Sequence, residues 1–320
     1  MGGGGSREHV AHSTACPASG GAYDRRPMPR LVAALQLLFS VLLAALSGVL
    51  AKQALSEVPP FTFVWTHVGV GGAVLCLYTF GLRRQRIPRG LGRGIWMHLL
   101  CIGVVNYAVV RLFFMLALER VPATTHAYLI NFVGLATMGM SVIVLRERPG
   151  RTAFVGALLA FAGLGVYFRE VPTGGASTGV LFAAIAVIGL ATTNNVARRL
   201  ALVTDRSISN DVVSTVAFLV GGVPVVLAGI LVDGVPSDLG ARNTGIVALN
   251  GIVSIAIGLT VINHVLRTLR SYEVSLLAST GMIFTALFAI PLLGERLVVH
   301  EIAGIAMMLV GVGMAQVRRR

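Results

Sequence analysis

Acidic residues are scarce in this chain, and none lies inside its long apolar stretches. Only 12% of the 320 residues are charged, against about a quarter in an average soluble domain. The thirteen Asp and Glu residues all fall in the N-terminal segment, between apolar runs or at their ends. This absence excludes a buried carboxylate proton relay, a carboxylate site for a cationic drug, and the carboxylate-bound Mg²⁺ of a membrane-embedded transferase.

Cysteine and catalytic motifs are also largely missing. Cys16, Cys76 and Cys101 cannot form a disulfide framework, and no His or Cys spacing suits a zinc site. The sequence contains no P-loop and no G-x-S-x-G element. We therefore expect no enzyme activity, no metal and no cofactor.

Long apolar runs are abundant. Hydrophobic residues make up 55% of the chain, and their runs are near the 20 residues that a helix needs to cross about 30 Å of hydrocarbon. The alternating strands of a β-barrel are absent, so the predicted fold is an all-α membrane protein with ten transmembrane helices. The ten runs lie near residues 33–52, 60–82, 94–118, 122–145, 152–169, 178–199, 212–232, 245–266, 273–293 and 299–317.

The chain has a net charge of +13, and its basic residues are concentrated in every second segment between these runs. If the N-terminus is cytoplasmic, twenty of the basic residues lie on inner segments and five on outer segments. The positive-inside rule then predicts a cell inner-membrane protein with both termini in the cytoplasm. Nucleic-acid binding is not expected, because the charge follows the bilayer. Residues 1–30, rich in Gly, Ser, Ala and Pro, are expected to be a disordered cytoplasmic tail.

One motif occurs twice at an offset of 148 residues. Leu, Glu and Arg of the segment 145–148 recur at 293–296, and glycines follow each copy at matching positions, 156, 163 and 165 and then 304, 311 and 313. Five spans in each half is an odd number, so the halves, 31–170 and 171–320, must be inverted repeats. On the last span of each half the glycines favour close helix packing over a hinge. The Glu of the motif is expected to form a turn or to neutralise a helix end.

The doubled Leu-x-Glu-Arg motif, its glycines and the ten spans resemble the EamA-like branch of the drug/metabolite transporter superfamily over about residues 33–317. The chain departs from that family at the proline often found about 13 residues before the Glu, because it has Gly134 and Met282 there. The resemblance implies a secondary transporter with a central site between its halves. It also implies alternating access and, from many relatives, export of amino acids or other small metabolites.

Arg111 is the one clear charge inside a span, and it has no acid within the spans to pair with. An intramembrane Arg costs about 2.5–3.5 kcal/mol on insertion scales. We expect it to bind an anionic group such as a carboxylate; the alternatives are snorkelling to the outer surface and bonding to carbonyls at a span end. Tyr107 lies one turn earlier, while Asn106 and Asn131 lie near the midpoints of their spans. Tyr128 shares a helical face with Asn131, and Asn263 completes the candidate substrate-binding set. Helix–helix hydrogen bonding is the alternative role for these amides.

His126 and His264 are the candidates for proton coupling, since histidine titrates near neutral pH; ordinary hydrogen bonding near a span end is the alternative.

The sequence therefore predicts a secondary transporter that exports small anionic or zwitterionic metabolites. A carrier or flippase of a lipid-linked or sugar-bearing substrate stays open, and so does a membrane sensor or structural protein. The expected partners are a small-molecule substrate and the lipid bilayer, and a homodimer is left open.

Overall fold

The protein is described from a computed structural model. It describes residues 29–88, 90–144, 150–169, 173–204, 208–236, 239–265, 268–269, 274 and 277–316. The expected tail, apart from its last two residues, and the first Leu-x-Glu-Arg copy lie outside this set. Ten helices follow one another: α1 (Arg30–Ala54), α2 (Pro60–Leu82), α3 (Arg93–Arg120), α4 (Ala123–Ile143), α5 (Arg151–Tyr167), α6 (Gly175–Val203), α7 (Asn210–Asp233), α8 (240–265), α9 (Leu277–Leu293) and α10 (Val299–Gln316).

The helices have the length and the surface of membrane spans. Six apolar helices of 21–29 residues are long enough to cross a bilayer, and α5, α9 and α10 are shorter apolar helices. Large apolar side chains point outward along the bundle, including Phe39, Phe154 and Leu231 at 61%, 62% and 84% exposure. An outer surface of this kind suits lipid rather than water, and the predicted all-α fold with ten helices is confirmed.

Hydrogen bonds between the connecting segments group at two opposite ends of the bundle. At one end the Asp233 carboxylate, which ends α7, accepts a bond of 2.8 Å from the Thr62 hydroxyl at the start of α2. At the other end the Ser209 hydroxyl before α7 donates to the Gln85 amide oxygen after α2. Successive connecting segments therefore lie at opposite ends of the bundle, and which end faces the cytoplasm stays a prediction of the charge distribution.

The first helix of each half packs among helices of the opposite half. Helix α1 lies against α8 and α9, and helix α6 lies against α3 and α4. The two arrangements are equivalent under the inverted repeat, because α1 corresponds to α6 and α3–α4 to α8–α9. The bundle therefore contains two groups of three helices, α3–α4–α6 and α8–α9–α1, and each draws on both halves of the sequence.

Helices α5 and α10 cross at glycines of the repeated motif. A Cβ on Gly163 would lie 2.9 Å from the carbonyl oxygen of Gly304, and a Cβ on Gly304 would lie 2.8 Å from that of Gly163. Gly156 and Gly311 form the second such pair. Because Gly156 matches Gly304 and Gly163 matches Gly311 at the offset of 148, the two contacts are copies of one another. These four glycines have the packing role that the sequence favours.

Helices α4 and α9 are both interrupted at equivalent positions. In α4 the backbone N–H groups of Asn131 and Phe132 bond to carbonyls three residues back, at 3.2 and 3.1 Å. In α9 the N–H of Thr280, 148 residues after Phe132, does the same at 3.2 Å. Neither break contains proline, and the break in α4 comes before Gly134. The departure from the family proline therefore does not remove the discontinuity, a feature that marks substrate sites in many transporters.

Candidate functional site

Two close helix crossings, α3 with α7 and α2 with α8, determine where the site forms. A Cβ on Gly103 of α3 would lie 3.1 Å from the backbone nitrogen of Gly221, and a Cβ on Gly251 of α8 would lie 3.0 Å from that of Gly71. Gly103 and Gly251 are again 148 residues apart. Only glycine permits backbones to approach this closely, so these positions fix the register of the four helices.

A π-helical segment follows each crossing on α3 and α8. The segments Val104–Val110 and Ile252–Ile257 begin directly after Gly103 and Gly251. Within the first, the N–H of Arg111 donates to the carbonyl of Asn106, five residues earlier. Segments of this kind are rare and frequently occur at functional sites. Here they bring Arg111, at the end of one segment, to Ser254, inside the other.

Arg111 lies between the halves and is incompletely hydrogen-bonded. Its Nη1 donates to the Ser254 hydroxyl at 3.4 Å, and its buried Nε has no partner among the described residues. Ser254 donates to the Asn250 carbonyl at 2.6 Å. The Asn250 amide in turn donates to the Ser47 hydroxyl at 2.9 Å. This chain joins α3, α8 and α1, and it positions the guanidinium without neutralising its charge.

Tyr107 and His67 complete the polar cluster around Arg111. Both are buried, with 1% and 0% exposure. Tyr107 lies four residues before Arg111 on α3. The His67 carbonyl lies against Gly251, three residues before the Ser254 that bonds to Arg111. The Tyr107 ring meets Phe218 edge to face at 5.7 Å between centroids, while its hydroxyl has no partner among the described residues. The His67 Nδ1 is 2.9 Å from the Phe63 carbonyl oxygen, and its Nε2 is likewise without a partner there.

No carboxylate contacts Arg111 within the part of the chain that the structure describes. Asp233 lies at the C-terminal end of α7, where its carboxylate accepts bonds from Thr62 and the Trp65 indole. Buried cations in proteins are normally paired, so the cluster holds an excess positive charge and unused hydrogen-bonding capacity. It can therefore hold an anion.

The other predicted site residues lie in different surroundings. The Tyr128 ring stacks on Tyr167 at 4.2 Å, and its buried hydroxyl has no partner among the described residues. The Asn131 amide donates to the Ala127 carbonyl of its own helix at 2.8 Å. His126 packs edge to face on Phe114 at 4.2 Å.

Three predicted residues have less structural context. Asn106 is half-buried in the π-helical segment of α3. Asn263 and His264 belong to the last part of α8, but their side chains lie outside what is described. Of the predicted set, Arg111 and Tyr107 come together. The binding roles of all the predicted residues stay predictions.

Charged residues connect the two three-helix groups through helix termini at the end of the bundle where α1, α3 and α9 finish, which the charge distribution predicts to face outward. The Lys52 ammonium donates to the carbonyls of Leu118 and Glu119, at the C-terminal end of α3, at 2.6 and 2.7 Å. The Glu295 carboxylate accepts bonds from the backbone N–H groups of Ala123 and Thr124, at the start of α4, at 2.6 and 3.0 Å. We call these bonds the outer contact. A cation at a helix C-terminus and an anion at an N-terminus both complement the helix dipole, so the motif Glu neutralises a helix end.

The family model described as "EamA-like transporter family" matches residues 31–169 and 177–315. The chain belongs to the EamA-like transporter family. This EamA-like protein is therefore a multi-pass membrane protein of a family that transports small molecules, and the resemblance identified from the doubled motif is confirmed.

A solved structure gives independent support for the fold of this EamA-like protein. A protein described as "Crystal structure of protein" is 20% identical, with a TM-score of 0.61, over 90% of this chain and 98% of that one. At this identity the likeness supports the fold alone. No curated protein matches the chain in sequence.

Several contacts of this EamA-like protein were not predicted from the sequence. The sequence offers His67 as one of four intramembrane histidines that could couple protons, and Lys52 as a basic residue of a segment predicted to face outward, but it predicts neither contact. A usable signal existed for Lys52, since a single lysine at the end of an apolar run suits a helix terminus. No such signal existed for His67, whose place in the cluster depends on the crossing of α2 and α8.

Proposed function

We propose that this protein is a secondary transporter that exports small anionic or zwitterionic metabolites, such as amino acids, by alternating access. The observation that carries the proposal is Arg111, a half-buried cation whose buried Nε has no partner and which meets no carboxylate among the described residues. A permanent cation in a membrane interior is costly. Arg binds carboxylates through two parallel hydrogen bonds, so a transported carboxylate would offset that cost.

The position of Arg111 suits a transport site. It bonds to Ser254 of the opposite half. The interrupted helices α4 and α9 belong to the same bundle. A site between two inverted halves is reached from one side or the other as the halves move. The outer contact supports this mechanism, because it joins the two three-helix groups at one end of the bundle. In our proposal, it breaks when the site opens outward.

The proposed location is the cell inner membrane with both termini in the cytoplasm. This rests on the excess of Arg on alternate segments. A fluorescent-protein fusion at the C-terminus is expected to be fluorescent and an alkaline phosphatase fusion there to be inactive. The reverse pair of results would invert the topology and the direction of export that we propose.

Transport by purified protein in proteoliposomes tests the function. We expect counterflow of at least one radiolabelled acid from a panel of alanine, glutamate and lactate, with loss of that activity in Arg111→Gln and partial retention in Arg111→Lys. Arg120→Gln is the matched control, since Arg120 bonds to Glu119 at the exposed outer end of α3. An Arg111→Gln protein that inserts, folds and transports normally would remove the anion-binding role.

The alternatives predict different results. A carrier or flippase of lipid-linked or sugar-bearing substrates would leave all three acids untransported and move a labelled lipid between leaflets. A sensor or structural protein would show neither activity. Chemical catalysis is not part of the proposal, because the described core offers no clustered acids.

A further inference from the structure

We infer that His67 is a specificity-determining residue, which accepts a hydrogen bond from a donor group next to the carboxylate of the substrate. The inference rests on the proposed function and narrows its substrate class to acids with an ammonium or hydroxyl group beside the carboxylate. It depends on the protonation pattern of one buried ring and on the chemistry of its neighbours.

The first step is the tautomer of His67. Its Nδ1 lies 2.9 Å from the carbonyl oxygen of Phe63. A carbonyl oxygen can only accept, so Nδ1 carries the proton and donates. In a neutral imidazole the other nitrogen is then an acceptor. Nε2 of His67 is therefore a hydrogen-bond acceptor, it is completely buried, and it has no donor among the described residues.

The second step concerns the neighbouring groups, which can donate hydrogen bonds where Nε2 of His67 accepts one. The free Nε–H of Arg111 and the free hydroxyl of Tyr107 can both donate, and the two residues are four apart on α3. The cluster thus presents two unpaired donors and one unpaired acceptor. A buried polar group without a partner costs about 1–3 kcal/mol, so an occupant that satisfies all three has a clear advantage.

The third step is the occupant. A carboxylate can accept from Arg111 and Tyr107, but it cannot donate to His67. A donor on the neighbouring carbon, such as an ammonium or hydroxyl group, can satisfy Nε2. A simple carboxylic acid leaves that nitrogen unpaired and must be discriminated against, as sites built to hydrogen-bond a group reject analogues that lack it.

Three acids of nearly equal size test this inference in proteoliposomes: alanine, lactate and propionate. We expect alanine or lactate to be transported at least about tenfold better than propionate by the unmodified protein, a ratio that corresponds to one lost buried hydrogen bond. His67→Phe removes the acceptor while keeping a ring of similar size. It should lower transport of the preferred acid to the propionate level and leave propionate unchanged, while His67→Gln, with an amide oxygen, should restore part of the preference.

Tyr107→Phe is the matched variant, because it removes a donor to the carboxylate that all three acids share. It should weaken transport of all three by similar factors and keep the ratio between them. Equal transport of the three acids by the unmodified protein, or an unchanged ratio in His67→Phe, would overturn the role of His67 and leave the transport function standing. Absence of transport of these three acids and of glutamate would overturn both.

Discussion

At the residue scale, the important charges are those that meet helix ends rather than one another. Lys52 bonds to carbonyls in the last turn of α3 and Glu295 to N–H groups in the first turn of α4, and helices leave such terminal groups without an intrahelical partner. By contrast, Arg120 and Glu119 form an ion pair that is about one-third exposed on each side. Exposed pairs of this kind contribute little. We therefore expect Glu295 to contribute more to stability than the pair of Glu119 with Arg120.

The substitution Glu295→Gln tests this difference. It removes the negative charge at the start of α4 while preserving size, and it leaves one oxygen to accept from Ala123 or Thr124. We expect a loss of about 1–2 kcal/mol in the free energy of unfolding, seen as a lower thermal unfolding temperature in detergent. Glu119→Gln is the control, with a change below about 0.5 kcal/mol. Equal shifts in the two variants would contradict the capping role.

At the element scale, pairs of glycines decide which helices can approach. Gly156 lies against Gly311 in the α5–α10 crossing, whereas a Cβ on Gly165 of the same helix would meet nothing within 4 Å. The sequence repeats all three glycines of each copy equally, but their environments differ. One face of α5 is therefore a packing surface, and Gly165 lies on another.

Substitution by alanine distinguishes the two faces of α5. Gly156→Ala places a methyl group against the backbone of α10, and overpacking of this kind costs about 1–3 kcal/mol. Gly165→Ala has free space and gains helix propensity of up to about 1 kcal/mol. We expect the first variant to lower the thermal unfolding temperature and the second to keep or raise it. If both variants behave alike, the crossing is not the source of the stability.

Most of the fold, but less of the candidate site, could be predicted from the sequence. Ten helices and their inversion follow from run length and the segregation of Arg, which depend on the bilayer and not on packing detail. Arg111 and Tyr107 are one turn apart, so their proximity was also predictable. Ser254 and His67 were not assigned to Arg111, because glycine crossings and π-helical segments set that register, and neither is visible in an apolar pattern.

At the scale of the whole molecule, the outer contact connects two helix groups that each draw on both halves. Helices α1 and α9 bring Lys52 and Glu295 to the turn between α3 and α4. Other polar contacts at the same end, such as the 3.8 Å approach of Arg242 to Glu57, involve more exposed side chains. If the groups separate when the site opens outward, Lys52 opposes that opening and Arg242 has little effect on it.

Labelling of a cysteine in the site tests this coupling. Ser254→Cys, in a protein whose Cys16, Cys76 and Cys101 are replaced, is treated with a membrane-impermeant maleimide from outside the cell. Adding Lys52→Met removes two charge-assisted bonds to α3, worth about 1.5–3 kcal/mol in all, and each 1.4 kcal/mol shifts an equilibrium about tenfold. We expect labelling at least several-fold faster with Lys52→Met, and little change with Arg242→Met, the control at the same end. Equal labelling rates in the three proteins would show that the outer contact does not control access to Ser254, and alternating access would then need a different outer barrier.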